Sequence, residues 1–267
     1  MIIVLECGRF AHVALASGPG EVCALFRRSL YLRFPRGRYA CLGDATVGRG
    51  PLNARVADTR LLRSLALGAR VEIERGWPAP WSPRHTRYKR RPDALSENLR
   101  TLALAAQGRA GEQGLGRRIC GGDAPLLRYA RPSLRALDRW LENRCRGVPV
   151  AVHALLGLGP GLTPSGDDYI GGTLVALRTL GEDSCADALW RSVRRRAVAR
   201  THAISLAHLA AAAGGEAHEA LHACLDELFA PRAARWDAAL ARLDNVGHCS
   251  GWDGLAGVVA VARQALR

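Results

Sequence analysis

Between about Glu21 and Val56 the chain runs in short apolar stretches, GEVCALFRR, SLYLRF, RGRYACLG and ATVGRGPLNARV, separated by Gly and Pro at the spacing of a β-meander. Such a pattern predicts a small antiparallel barrel or sandwich. RVEIE at 70–74 alternates as one more strand, after a short helical stretch at 58–67. Residues 76–92 hold four prolines and two tryptophans with no period, which reads as a linker or mobile surface loop. The expected organisation is therefore a β-rich domain at 1–76, a linker or loop at 77–92, and a second domain at 93–267.

Beyond Asp93 the period lengthens to that of helices. Leu95, Leu99, Leu102 and Ala106 form one stripe over 93–107, and Ser133 is placed to cap a helix over 133–143. An Ala-rich helix, long enough to be broken, spans 186–213. Gly214 and Gly215 part it from a helix at 216–229, and Pro231 precedes another that runs to Leu243. A β domain followed by a helical domain is the α+β class.

Composition narrows the function classes. The chain has 267 residues, 48% apolar and 23% charged, which excludes wholesale disorder. No apolar run reaches the length of a membrane span, and Glu6 and Arg9 interrupt the N-terminal stretch where a signal peptide needs its apolar core, so a cytoplasmic protein is expected. The eight cysteines lack any C-x-x-C pair and read as small buried side chains in a reducing compartment. A net charge of +14 invites a nucleic-acid reading. Against it, Lys89 is the only lysine among 38 basic residues, and the arginines are spread out except at 84–91 and 194–196. Small anions or an acidic partner protein fit better than nucleic acid.

The richest chemistry lies in G-L-G-P-G-L-T-P-S-G-D-D-Y-I-G-G at 157–172. Gly157, Gly159 and Gly161 allow left-handed conformations that turn successive N–H groups into one concavity. Thr163-Pro164 has the form of an N-cap and first helical residue, and Ser165-x-x-Asp168 that of a capping box, so a helix starts here with Ile170, Leu174 and Leu177 on its buried face. Free N–H groups and a positive dipole end beside a glycine loop suit phosphate or carboxylate. Asp167 and Asp168 would repel a bare anion. They fit if one closes the cap while the other orients a substrate amide or ammonium, or holds a magnesium ion, the one cofactor the motif suggests. The loop lacks the Lys of a P-loop and is not a dinucleotide fingerprint.

Part of this pattern recurs. Ser250-Gly251-Trp252-Asp253-Gly254-Leu255-Ala256-Gly257 aligns without gaps on Ser165 to Gly172, sharing Ser, Gly, Asp, an aliphatic and the final Gly. Here Ser250 would cap, Asp253 would sit at the third position, and Leu255, Val258, Val259 and Ala262 would form the apolar stripe. The glycines permit close contact, so the two helices are expected to cross near their N-termini and bring two aspartates to one pocket. His248, just before the second motif, is the histidine expected to exchange a proton there. Thr201, Ser205 and His208 form a polar row that could face the same pocket.

LLGLGPGLTPSGDDYIGG and VGHCSGWDGLAGV, with Thr201 and Ser205 in THAIS and the earlier FRRSLYL and GRGPLN, resemble a bacterial family long known only as a domain of unknown function. Its best-understood members are a subunit of oxamate carbamoyltransferase, from anaerobic allantoin breakdown. The resemblance implies a share in moving a carbamoyl group between phosphate and oxamate, inside a complex with other subunits, with carbamoyl phosphate or oxamate as the small anionic substrate. The S-T-R-T phosphate loop of aspartate and ornithine carbamoyltransferases is absent, and residues 76–92 and 107–122 match nothing in the family. The site expected on this basis has Asp168, Asp253 and His248 as its reactive groups. Gly157, Gly159, Gly161, Thr163, Ser165, Gly166, Asp167, Thr201, Ser205, Ser250 and Gly251 would bind the substrate.

Two other classes compete. The chain could be a non-catalytic binding or assembly protein that completes a partner's site. Alternatively, His218-Glu219-Ala220-Leu221-His222 contains H-E-x-x-H, the zinc-peptidase pattern, although no third ligand is marked in the sequence and the helix begins only a few residues earlier.

Overall fold

A computed structural model describes residues 2–74, 76–84, 87–143 and 145–266, apart from the side chain of Leu61. Residues 85 and 86 of the basic stretch 84–91 lie outside the described residues. The chain divides into two compact units, Met1–Arg84 and His85–Arg267, and is α+β.

The first unit is a curled, six-stranded half-barrel. Its strands are β1 (Val4–Cys7), β2 (Gly20–Leu25), β3 (Ser29–Phe34), β4 (Arg38–Gly43), β5 (Asn53–Val56) and β6 (Arg70–Val71), in the order β1-β5-β4-β3-β2-β6. β2, β3 and β4 pair antiparallel as the meander pattern requires. The sheet departs from the all-antiparallel expectation because β4 and β5 run parallel. Alternation drives it: Leu30, Leu32 and Phe34 of β3 are buried while Arg33 faces out, a period of two that covers one sheet face. That face closes over Ala11, Ala14 and Leu15 of α1 (Arg9–Leu15). β1 and α1 were not legible as elements, because each has less than two turns or strand repeats of pattern. A short helix, α2 (Arg60–Arg63), falls within the expected stretch 58–67.

The second unit is helical. Its elements are α3 (Pro92–Ala105), α4 (Pro125–Glu142), α5 (Ser165–Thr179), α6 (Asp183–Arg200), α7 (Ala203–Ala213), α8 (Glu219–Leu228), α9 (Trp236–Leu243) and α10 (Ser250–Gln264), with 3-10 turns at Gly116–Cys120 and Val150–Leu155. The helix expected from Ser133 begins eight residues earlier, at Pro125. Pro132 lies inside it and Ser133 is buried mid-helix rather than capping. The Ala-rich segment does break, at Thr201 and His202, between α6 and α7. No helix among the described residues is long and apolar enough to cross a membrane.

α5 and α10 form the centre, and both are buried along nearly their whole length. Glycine sets how closely they approach. A Cβ on Gly172 would collide with the Gly254 carbonyl oxygen of α10, and a Cβ on Gly257 with the Tyr169 carbonyl oxygen of α5. In the repeat, Tyr169 and Gly254 are equivalent, as are Gly172 and Gly257, so the contact is locally two-fold symmetric. Thr173 adds a hydroxyl that donates to Tyr169 O at 2.9 Å. Around the pair, Ile170, Leu174, Leu255, Val258 and Leu221 pack into one continuous core, each fully buried aliphatic contributing about 1.5–3 kcal/mol.

One expectation fails outright. Cys145 and Cys185 form a disulfide with Cα atoms 5.4 Å apart. They are 40 residues apart in sequence, so no spacing rule could pair them; the loop after α4 and the first turn of α6 bring them together. The other six cysteines are free.

Replacing Gly172 or Gly257 by Ala is expected to destabilise the chain by about 3 kcal/mol or more, since a carbonyl cannot move aside as a side chain can. Gly171→Ala, whose Cβ meets nothing nearer than 3.7 Å, should be neutral or stabilising by up to about 1 kcal/mol. Denaturant melts of the three variants decide this; equal stabilities would refute the close-contact account. Thiol titration of the denatured, unreduced protein should find the six free cysteines rather than all eight.

Candidate functional site

The glycine loop leads directly into α5. Gly157, Gly159 and Gly161 have φ of 71°, 110° and 91°, which side chains rarely adopt. Gly157 also packs against the Arg200 carbonyl, where a Cβ would not fit. Gly166 and its repeat mate Gly251 are likewise used for packing, against the carbonyls of Leu155 and Leu243. Within the first turn of α5, Gly166 donates to Leu158 O, and Asp167 and Asp168 donate to Pro164 O. The N–H groups of Gly159, Gly161, Leu162 and Thr163 engage no acceptor among the described residues.

The three aspartates take different roles. Asp167 is buried and ties the loop together: its Oδ1 accepts from Gly157 N–H at 3.0 Å, and its Oδ2 accepts from Ser205 Oγ at 2.7 Å and from Thr201 Oγ1. The expected polar row is thus split, with Thr201 at the end of α6 and Ser205 in α7, yet both reach the same carboxylate. His208, further along α7, has its pKa lowered to about 4 by desolvation first and by the nearby His218 second.

Asp168 and Asp253 were expected to close capping boxes with Ser165 and Ser250. They do not. Both serines are the first residues of their helices, not caps, and neither helix has a side-chain cap. The hydroxyls act across the helix pair instead: Ser250 of α10 lies against Asp168 of α5, and Ser165 of α5 against Asp253 of α10, each favouring the charged carboxylate. Thr163 joins this link, its Oγ1 2.9 Å from Ser250 Oγ. The close helix crossing explains the exchange, because it sets each helix start nearer to its neighbour's third residue than a self-contained cap would need.

Burial opposes those hydroxyls and wins. Asp253 is raised to about 6, chiefly by desolvation, although Oδ1 accepts from Leu115 N–H at 2.5 Å and Gly116 N–H at 3.0 Å. Asp168 is pushed well above the usual carboxylate range by desolvation first, with the charges of Asp253 and Asp167 adding to it. Oδ2 of each is buried with no hydrogen-bond partner. Cys249, half-buried before α10, is close enough to both that their charges help raise its thiol.

Other candidates lie elsewhere. His248 is exposed in the turn before α10. In the H-E-x-x-H segment α8 starts only at Glu219, so His218 precedes the helix and accepts Ala220 N–H through Nδ1, while His222 accepts Ala217 N–H through Nε2. The two rings serve the helix start. Among the described residues no group of His, Cys, Asp and Glu is arranged to hold a metal ion, so a magnesium site at the aspartates finds no support in the geometry. The sequence reading missed the 107–122 segment, whose Leu115 and Gly116 clasp Asp253. Its glycines at 111, 114 and 116 were the available signal, and a Cβ on Gly114 would strike the Asp253 carboxylate.

Asp253 binds its proton more tightly folded than unfolded, where its pKa is near 3.8. The stabilisation this provides is complete below about pH 4 and is lost as the pH rises through about 6. At about 1.4 kcal/mol per pKa unit, the loss is about 3 kcal/mol. Asp253→Asn, which cannot ionise, should therefore gain on the wild type by a similar amount between pH 4 and 7 in thermal melts; a constant difference across that range would contradict the burial argument.

Residues 155–262 match the family model described as Oxamate carbamoyltransferase subunit AllH. No curated protein and no solved structure matches the chain. The matched segment runs from the end of the 3-10 turn before the glycine loop to the last turns of α10, and so contains both halves of the repeat and all three aspartates. Over this segment, about two fifths of the chain, the sequence is similar to the oxamate carbamoyltransferase subunit AllH family.

Proposed function

We propose that this chain is the subunit of a carbamoyltransferase-like complex that holds its small anionic substrate, oxamate or the phosphate of carbamoyl phosphate, at the loop before α5. The observation that carries the reading is the set of N–H groups at Gly159, Gly161, Leu162 and Thr163 that engage no acceptor among the described residues, in the loop that leads into buried helix α5. Backbone N–H groups at a helix N-terminus favour a carboxylate or phosphate through both hydrogen bonds and the helix dipole. Two of the neighbouring carboxyls, Asp168 and Asp253, are driven by burial towards the neutral form, which lessens their repulsion of an anion. Asp167 shapes the loop by drawing Gly157, Thr201 and Ser205 onto one carboxylate, and Asp253 anchors the 114–116 segment against α10.

In the reaction so assigned, the oxamate amide nitrogen takes the carbamoyl group from carbamoyl phosphate and phosphate leaves, or the reverse. Partner subunits would complete the site, and this chain's contribution is to bind and orient the anion. Titration of the full chain with oxamate or inorganic phosphate tests it by thermal shift. At a hundredfold excess over Kd a ligand adds about 2.7 kcal/mol, a rise in Tm of about 5 °C or more. Gly161→Val, at a φ that valine resists, should fold with little shift on adding ligand. No shift in the wild type, or the same shift in the variant, would reject the anion site and leave an assembly role.

A further inference from the structure

The local two-fold symmetry of α5 and α10 allows one half of the site to be read from the other. Asp253 and Asp168 occupy equivalent positions, and each has an oppositely placed serine hydroxyl beside it, Ser165 and Ser250. They differ in one respect. Asp253 receives two backbone N–H groups, from Leu115 and Gly116, while no N–H group among the described residues donates to Asp168, whose Oδ2 is buried without a partner. Oδ2 of Asp253 is buried without a partner as well, so what sets Asp168 apart is the absence of the N–H donors its counterpart has, a place that an N–H of a ligand would fill.

Resting on the anion-site reading above, we infer that Asp168 is the specificity-determining residue for the amide end of the substrate, accepting an N–H of a primary amide or ureido group in the place where Asp253 accepts main-chain N–H. The placement suits a two-ended ligand. The N–H groups of Gly159 to Thr163 would take its carboxylate, and Asp168, at the first turn of the helix that follows, would take its amide. Burial favours the neutral form of Asp168, and a neutral carboxyl offers one O–H donor and one carbonyl acceptor. That pair matches the adjacent C=O and N–H of an amide and does not match a second carboxylate. The role is that of a reader and positioner of the amide; no bond to the substrate is formed.

The test compares three probes on the full chain by calorimetry: oxamate, N,N-dimethyloxamate, which keeps the carboxylate but has no N–H, and oxalate. In the wild type, oxamate should bind at least tenfold more tightly than N,N-dimethyloxamate, a hydrogen bond's worth of about 1.4 kcal/mol. Asp168→Leu should reduce that ratio to near one while changing oxalate affinity less than about threefold. Asp168→Asn should retain the ratio, since a carboxamide presents the same donor and acceptor as a neutral carboxyl. Equal wild-type affinities for oxamate and its dimethyl analogue would overturn the inference while leaving the anion site standing. So would a ratio that survives in Asp168→Leu, because bulk and not the hydrogen bond would then be what is sensed. Should Asp168→Leu not fold, Asp168→Ala takes its place in the same comparison, with the same outcomes deciding. Binding of none of the three probes would reject the anion site and this inference with it.

Discussion

The helical unit depends on the approach of two backbones. Where α5 and α10 cross, Gly172 and Gly257 let each helix rest on a carbonyl of the other, at Gly254 and Tyr169. Nothing larger fits, and because interiors are packed as densely as organic crystals the constraint spreads outward. It fixes the depth at which Ser165 and Ser250 meet the opposite aspartates, and it places the start of α10 beside the glycine loop. Gly166 and Gly251 repeat the device nearer the helix starts, against Leu155 and Leu243.

Such a contact leaves little water at the helix starts, which is why the carboxyls there behave unlike surface ones. Asp167 gathers one N–H and two hydroxyls. Asp253 has two N–H groups and is still raised to about 6, and Asp168, with hydroxyls alone, is raised well above its ordinary range by burial first and by its two acidic neighbours. Burial thus works against the charge of two of the three aspartates beside the glycine loop, Asp168 and Asp253. Among the described residues no group of His, Cys, Asp and Glu is arranged to hold a metal ion.

Two carboxyl-centred arrangements stand out as products of this packing, one clasped by main-chain N–H groups and the other by hydroxyls. The segment around Gly114 and Gly116 is drawn onto Asp253, and the break between α6 and α7 is drawn onto Asp167 through Thr201 and Ser205. Each links a stretch without strong periodicity to a helix that has it, so the irregular parts of the unit are held by carboxylates at the helix starts rather than by apolar burial alone.

Local pattern determined a good deal: the α+β class, the meander of β2 to β4, the starts of α5 and α10 to within a residue or two, and the internal repeat with its glycines. These follow from periodicity, turn chemistry and steric freedom, which act over a few residues. Tertiary structure decided what those residues meet. Ser165-x-x-Asp168 and Ser250-x-x-Asp253 have the spacing of capping boxes, yet the hydroxyls cross to the other helix, because the glycine contact brings that helix closer than the local cap. The disulfide between Cys145 and Cys185, the parallel β4–β5 pair, the clasp of Leu115 and Gly116 on Asp253, and the exposure of His248 were likewise beyond the reach of spacing. Each depends on segments distant in sequence, and the protonation of Asp168 and Asp253 depends on burial, which exists only once those segments have closed around them.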